Sequence, residues 1–344
     1  MKIHILYDFK EGPWGGGNQF LKALRSEFER QEVSTADPSL AGVIIANANP
    51  NMIPTLLQRL PGFRAQSPAP AIILRIDGPI GLVRGKDHFI DQLLKQIARR
   101  YVDGIIWQSQ WSREANLKLG FSPSLSRVVH NVPDGRIFYP QRQSQPTRHR
   151  KIKLVAVSWS PSPRKGFDIY QCLDTHLDWS RYEMTFVGNT TEQFEHIDTI
   201  APVDSPALAK ILRAHDIFIT GSQHDPCSNA LLEALACGLL PVIRNSGGHP
   251  ELAPTAVRFD SRNDVLAAID AAANLFMTRP VAPPARSLSA VAQEYLEFAT
   301  QVQKSDHRSS TTSSHRLQAV ALGAAYRGYQ LGKLGGKYIR YAQQ

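Results

Sequence analysis

Residues 214–252 read AHDIFITGSQHDPCSNALLEALACGLLPVIRNSGGHPEL, and this stretch decides the fold. Ile217-Phe218-Ile219, closed by Thr220 and Gly221, is a short apolar run with the character of a buried parallel strand. A polar loop spans 222–229. Residues 230–236 then carry helical spacing, with Leu231, Leu232 and Leu235 as the buried stripe and Gly238 as the stop. A second buried strand, 240–243, runs into a glycine turn at Gly247-Gly248. Strand, loop, helix and strand make one βαβ unit, whose loop lies at the carboxyl ends of the strands, where open α/β sheets bind ligands. Asp225 stands just before the helix and Glu233 on its first turns. Between them the backbone N–H groups around Ser228 and Asn229 are free at a helix N-terminus to receive an anion.

Outward from this unit the same alternation continues in both directions. Towards the N-terminus, strands are expected at 3–9, 42–46, 71–76, 104–107 and 127–130, with helices at 18–30, 52–60, 89–100 and 111–119 between them. Such spacing argues a doubly wound parallel sheet. Residues 141–150, QRQSQPTRHR, lack apolar periodicity and read as a linker. A second sheet begins with 153–157, continues at 181–187 and through the opening unit, and ends with a strand at 256–259 and a helix at 263–274. A proline-rich hinge at 278–285 leads to a helix at 289–302. The domains expected are therefore 1–147, 151–303 and a connector and tail at 304–344.

At 344 residues the chain suits two cores and a tail. No run of about 18 apolar residues occurs, so no membrane span is expected. The N-terminus enters a strand at once, without the basic and apolar regions of a signal peptide. Three cysteines, Cys172, Cys227 and Cys237, have neither metal-ligand spacing nor an even count, and a reduced cytoplasm fits them. The formal charge of +9 points to anionic partners. Without an aromatic-basic module before residue 316, nucleic acid is not among those expected.

Asp225-x7-Glu233, Ala234-Leu235-Ala236-Cys237-Gly238, Pro241-Val242 and Gly247-Gly248-His249-Pro250-Glu251 together resemble the donor-site motif of the retaining GT-B glycosyltransferases of family four. The first acid is Asp where that family has Glu. The resemblance covers residues 1 to about 303. It implies a GT-B fold, two Rossmann-like doubly wound domains facing a cleft, here extended by a basic C-terminal tail. It also implies transfer of a sugar from a nucleotide sugar to a glycan or lipid-linked glycan, with retention of configuration, in cell-surface polysaccharide biosynthesis. The alternative is an inactive sugar-nucleotide-binding subunit of a polysaccharide assembly complex.

Residue by residue, the resemblance gives Glu233 the ribose hydroxyls and Asp225 the sugar hydroxyls beside the reacting carbon. Lys165, in Arg164-Lys165-Gly166-Phe167-Asp168, matches the family's diphosphate lysine. Many members have an arginine five or six residues earlier; Trp159 and Ser160 stand there, which leaves Arg164 as the substitute. The first strand-to-helix loop carries Gly15-Gly16-Gly17, and Gly16 and Gly17 are expected to face the donor phosphates and the acceptor. Gly188 and Asn189 close a strand on the donor side, and Ser228 and Asn229 offer helix N-terminal amides to the diphosphate. Arg75 and Asp77 end a strand of the first domain and, as strand ends face the cleft, are both candidates for it; family members often carry a histidine in this region, and Asp77 is taken as a catalytic candidate. No two aspartates stand two apart, so the Asp-x-Asp metal site of the other main glycosyltransferase fold is missing, and no metal and no cofactor beyond the donor are expected.

Residues 304–315 read as a flexible connector. From 316 to 344 there is no acid, but there are five Lys/Arg and four Tyr, with Ala324, Gly328, Gly332 and Gly336 four apart. Each glycine costs a helix about 1 kcal/mol, so ordering the tail requires something outside it. Anionic membrane surface and partner helix are the two contacts this composition suits, the first implying an enzyme peripheral to the inner face of the cell membrane.

Overall fold

The computed structural model describes residues 1–140, 150–278, 286–305 and 314–341, and in the last helix the side chains of 319–333. The first domain runs β1 (Ile3–Leu6), α1 (Gly16–Arg30), β2 (Val43–Ala48), α2 (Ile53–Arg64), β3 (Ala71–Ile76), α3 (Ile80–Arg84), α4 (His88–Tyr101), β4 (Gly104–Trp107), α5 (Gln110–Lys118) and β5 (Ser126–Val128). The second runs β6 (Ile152–Ser158), α6 (Phe167–His176), β7 (Tyr182–Gly188), β8 (Asp198–Ile200), α7 (Ser205–Arg213), β9 (Ile217–Thr220), α8 (Asn229–Ala236), β10 (Leu240–Arg244), α9 (His249–Leu252), β11 (Val257–Phe259) and α10 (Val265–Phe276). Two further helices follow, α11 (Leu288–Lys304) and α12 (Ser314–Tyr341).

All strand pairs are parallel, in the orders β1-β2-β3-β4-β5 and β11-β10-β9-β6-β7-β8. In the second sheet the chain proceeds from β6 through β7 to β8, then returns to lay β9 on the other side of β6. In the first, Ile3 bridges to Ser34 on one side and pairs with Val43 on the other, so the direction reverses at β1. Such reversals open a crevice at the carboxyl ends of the flanking strands. They fix which loops face each other: those after β1 and β2 in one domain, and those after β6 and β9 in the other.

Strands β2, β3 and β9 are buried along their whole length, as their unbroken apolar runs require. Helix α11 crosses back to the first domain. Its Val291, Tyr295, Phe298 and Val302 pack with Ile3, Phe20, Leu24 and Ile106, and Gly104 leaves room for Phe298 and Val302 against β4.

Three expectations change. Gly16 and Gly17 are the first turn of α1 and not a loop, with Gly15 at its N-cap. The short elements α3, β8 and α9 have too few periodic positions to be seen in the sequence. The tail forms α12, and what orders it is the first domain itself: Ala319, Leu322, Tyr326 and Tyr329 lie against the core behind α2 and α4. Tyr329 stacks on Phe89 at 4.9 Å and its hydroxyl donates to Asp87 at 2.6 Å, and Lys333 pairs with Asp87 at 2.5 Å. The small-residue positions Ala324, Gly328 and Gly332 face outward, because tyrosine and leucine bury more apolar area against the groove than glycine can. Gly336, the linker at 141–149, most of the hinge and the connector at 306–313 lie outside the described residues or side chains.

Candidate active site

A cleft of about 460 Å³ lies between the carboxyl ends of the two sheets. Among the residues lining it are Asp225, Lys165, Asp77, Glu233, Gly16, Gly17, Ser228, Asn229 and Gly188. Two of the expected donor-side residues are not in its lining. Arg164 lies beside Gly85 at the end of α3, and Asn189 donates from Nδ2 to the Trp159 carbonyl at 2.7 Å, holding the loop after β6.

The acid loop is built from its glycines. Gly247 adopts φ +66°, and a Cβ there would run into the Asp225 backbone. The turn thus seats directly under Asp225, and the Gly248 N–H donates to the Asp225 carbonyl at 2.8 Å. Gly166 adopts φ +90° against the backbone of Gly221, which sets the Lys165 turn on the end of β9. Lys165 Nζ then reaches Asp225 Oδ2 at 2.8 Å, and the Cys227 N–H donates to Oδ1 at 3.2 Å. Burial pushes the Asp225 carboxyl up, but Lys165, His249 and these hydrogen bonds outweigh it and hold it below the usual aspartate range. Burial pulls the fully buried His249 below the usual histidine range, against the pull of Asp225, and its Nδ1 lies 3.2 Å from the Arg244 carbonyl oxygen.

Glu233 is in the opposite condition. It sits on the second turn of α8, 9% exposed, and among the described residues no hydrogen bond or cation meets its carboxyl. Burial alone pushes it up to about 8. Between the two acids, Ser228 caps α8 by accepting from the Leu231 N–H at 3.3 Å. The first-turn amides have no intrahelical acceptor by helix geometry and border the cleft. A largely buried acceptor group, an amide cluster and a fixed cation in one crevice suit a ligand with vicinal hydroxyls and an anionic group.

The first domain faces this with Asp77. Behind it Arg75 is 0% exposed, and its guanidinium donates to Asn47, Asn131, Tyr295 and Asp77. Arg75, a candidate for the cleft on sequence, is therefore the support that orients Asp77, tied through Tyr295 to α11. Gln108 also donates to Asp77. Burial raises the Asp77 carboxyl and nearby Asp225 adds to the rise, against the pull of Arg75.

Three cross-domain contacts escaped the sequence. Asn131 donates to Asn229 at 3.0 Å, where Gly16 lets α1 approach α8. Glu251, the last residue of the Gly-Gly-His-Pro-Glu run, accepts from the Gln110 and Trp111 amides at 2.6 and 3.2 Å and pairs with His130, so it caps α5 of the other domain. Trp14 and Trp159, one from each domain, meet at 5.5 Å between ring centroids at the cleft. A signal existed only for the last: two tryptophans in loops that the strand order turns towards each other.

Residues 190–270 match the family described as glycosyl transferases group 1. Over 112 residues the chain is 24% identical to a glycogen synthase of Clostridium kluyveri, covering 29% of this chain and 24% of that protein. A protein of Sulfolobus islandicus rod-shaped virus 1 is 23% identical over 180 residues, so the chain spans about half, or less, of the length of these two relatives. Among solved structures, Anabaena HepE in complex with UDP-glucose superposes with a TM-score of 0.61 at 14% identity, over 94% of this chain and all of that one. Sucrose-phosphate synthase from Thermosynechococcus elongatus superposes with a TM-score of 0.60 at 14% identity, over 96% of this chain and 99% of that one. The chain thus has the two-domain GT-B fold, and its segment 190–270 is similar to the group 1 glycosyl transferases.

Proposed function

We propose that the chain is a metal-independent, retaining glycosyltransferase of family four that moves a sugar from a nucleoside diphosphate sugar to a hydroxyl of a glycan or lipid-linked glycan. The observation that carries this reading is Glu233, a largely buried carboxyl at the cleft with no partner among the described residues, one helical turn beyond the amides of α8 and in the same crevice as the paired Lys165. A ribose offers the two hydroxyls such a carboxylate lacks, and a diphosphate fits the amides and Lys165.

In the transfer, the bond from the sugar's anomeric carbon to the diphosphate oxygen breaks and a bond to the acceptor oxygen forms on the same face. The acceptor's proton passes to the departing phosphate oxygen, and the nucleoside diphosphate leaves. Lys165 and the α8 amides stabilise the charge that grows on the leaving group. Asp225 holds the sugar hydroxyls beside the reacting carbon, and Asp77 lies on the acceptor side. Lys165 supplies the cation that a metal provides elsewhere, so activity should survive excess EDTA. UDP-glucose bound in HepE is the natural first donor to try. The test is a thermal-shift screen of UDP, GDP and ADP sugars, then release of nucleotide from the donor that stabilises the protein. A ligand at 100 times its dissociation constant adds about 2.7 kcal/mol. Failure of every nucleotide sugar to shift the melting temperature contradicts the reading, and binding without turnover would move it to the inactive-subunit alternative.

A further inference from the structure

Arg164 and Lys165 are neighbours in the chain and turn apart. Lys165 reaches Asp225 in the cleft, whereas Arg164 crosses to the first domain. Its guanidinium lies on Gly85, the left-handed C-cap of α3 (φ +69°), where a Cβ would come within 2.5 Å of Arg164 Nε. Glycine takes this backbone angle without strain and leaves the space. On either side of Gly85 stand Arg84 and Lys86, both exposed, and Arg84 also lines the cleft. The second domain brings two more basic groups to this seam. His224, the residue before Asp225, stacks on Trp111 of α5 at 6.0 Å between ring centroids. Its backbone is left-handed (φ +54°), and its amide donates to Ser246 Oγ at 3.0 Å. Arg244, at the end of β10, pairs with Asp168 at 3.3 Å. Burial, then the charges of Arg164 and Arg244, pull His224 below the usual histidine range. Acids do not balance this charge. Asp87 takes Arg84 at 3.2 Å on one oxygen, but its other oxygen already takes Tyr329 and Lys333 at 2.6 and 2.5 Å. Among the described residues the Arg164 guanidinium and the His224 ring meet no carboxylate or other hydrogen-bond acceptor.

We propose that Arg84, Arg164 and His224 form a binding site for an anionic group, a phosphate or a carboxylate, carried by the acceptor. Like charges gathered from two domains repel each other, so collecting them without an acid suits a site whose counter-charge arrives with a ligand. An arginine fork takes two oxygens of either anion at once, and forks from opposite domains close on one group from two sides. The imidazole N–H of a neutral His224 still donates. This site is separate from the one that suits the donor's diphosphate. Lys165 and the first-turn amides of α8 border the cleft, and Arg164 does not. Arg84 joins the two places, because it lines the cleft from the first domain, the wall that also carries Asp77. An acceptor with its reacting hydroxyl near Asp77 therefore meets Arg84 with a charged substituent. The word acceptor rests on the reading of the cleft given above, while the anion site rests on the charge and geometry of the seam alone.

Calorimetric titration of inorganic phosphate into the full chain, alone and with saturating UDP, tests it. Phosphate should bind in both titrations, and UDP should leave that binding in place. Each arginine contributes charge-assisted hydrogen bonds, so Arg164→Gln and Arg84→Gln should each weaken phosphate binding at least about tenfold. Arg164→Lys, which keeps the charge and loses the fork, should fall between wild type and Arg164→Gln. Should the melting temperature show that one glutamine variant fails to fold, the other decides. Acetate titrated in the same way separates the two anions, and the tighter of them names the group on the acceptor. Three results overturn the proposal. They are no phosphate binding to wild type, wild-type affinity in the folded glutamine variants, and full displacement of phosphate by UDP, which would put the phosphate in the nucleotide's own place. If UDP itself fails to bind, the reading of the cleft falls, and the phosphate affinities of the variants still decide the seam.

Discussion

Asp225 and Glu233 lie eight residues apart on one loop and helix, and the protein treats them oppositely. Asp225 is paired with Lys165, receives a backbone amide and is held ionised below the usual aspartate range. Glu233 is largely buried, meets no partner among the described residues and is raised to about 8. The difference shows which part of the cleft is finished without ligand. The Asp225 end is a preorganised charged site, the kind that lowers a barrier because its dipoles need not move. The Glu233 end has no partner among the described residues, and a ligand that brings hydroxyls would supply one.

The largest effect should come from the finished end. Asp225→Asn should abolish sugar transfer while nucleotide affinity stays near wild type, because the diphosphate contacts remain. Lys165→Ala should lower turnover by about 10²–10³, since the leaving-group charge develops in the transition state. Nucleotide release from the accepted donor measures both. Wild-type turnover in Asp225→Asn would erase the contrast and make the Lys165 pair merely structural.

A smaller effect belongs to the unfinished end. Charged hydrogen bonds are worth roughly 1.5–3 kcal/mol each, so Glu233→Ala should weaken nucleotide binding at least tenfold in calorimetry with the fold intact. Unchanged affinity would remove Glu233 from the site.

The pH dependence of stability has a sign that differs for the two acids. Glu233 is raised when folded, so the folded state keeps a proton that the unfolded chain has lost. Its contribution therefore declines as pH rises from the ordinary glutamate range to about 8, by up to about 1.4 kcal/mol per pH unit. Glu233→Gln should flatten that slope and stabilise the ligand-free protein near neutral pH. Asp225 is depressed, so its contribution is present above the ordinary aspartate range and is lost as pH falls through it. Melting temperatures of wild type and Glu233→Gln across this range check the sign. A mutant that tracks the wild type would mean that Glu233 is not raised.

The legible and the illegible parts of the molecule divide along the same physical line. Strands such as β3 and β9 were readable because burial on both faces demands unbroken apolar runs, and the acid loop because glycine, proline and acid stand at fixed offsets. The Lys165–Asp225 pair joins residues 60 apart in sequence, and the Glu251 cap on α5 joins residues about 140 apart. Pairings of that separation leave no periodic trace. The tail shows how local rules mislead: four small residues at spacing four outweighed Ala319, Leu322, Tyr326 and Tyr329, whose spacing of three, four and three marks the true docking face. Arg75 misled for a similar reason, since a strand-end arginine reads as a ligand group until Tyr295 of α11 is known to cover it.

The central claim, that Glu233 waits for a ligand's hydroxyls, is tested most directly by counting protons. Hydroxyl hydrogen bonds favour the ionised carboxylate, so binding should drive off the proton that Glu233 holds near pH 7 in the empty cleft. Titration calorimetry of UDP into the protein, in buffers of different ionisation enthalpy, measures the protons released. We expect wild type to release about one proton more than Glu233→Gln, close to nine-tenths at pH 7 for a group near 8. Equal proton release by the two proteins, with UDP bound equally well, would contradict the account.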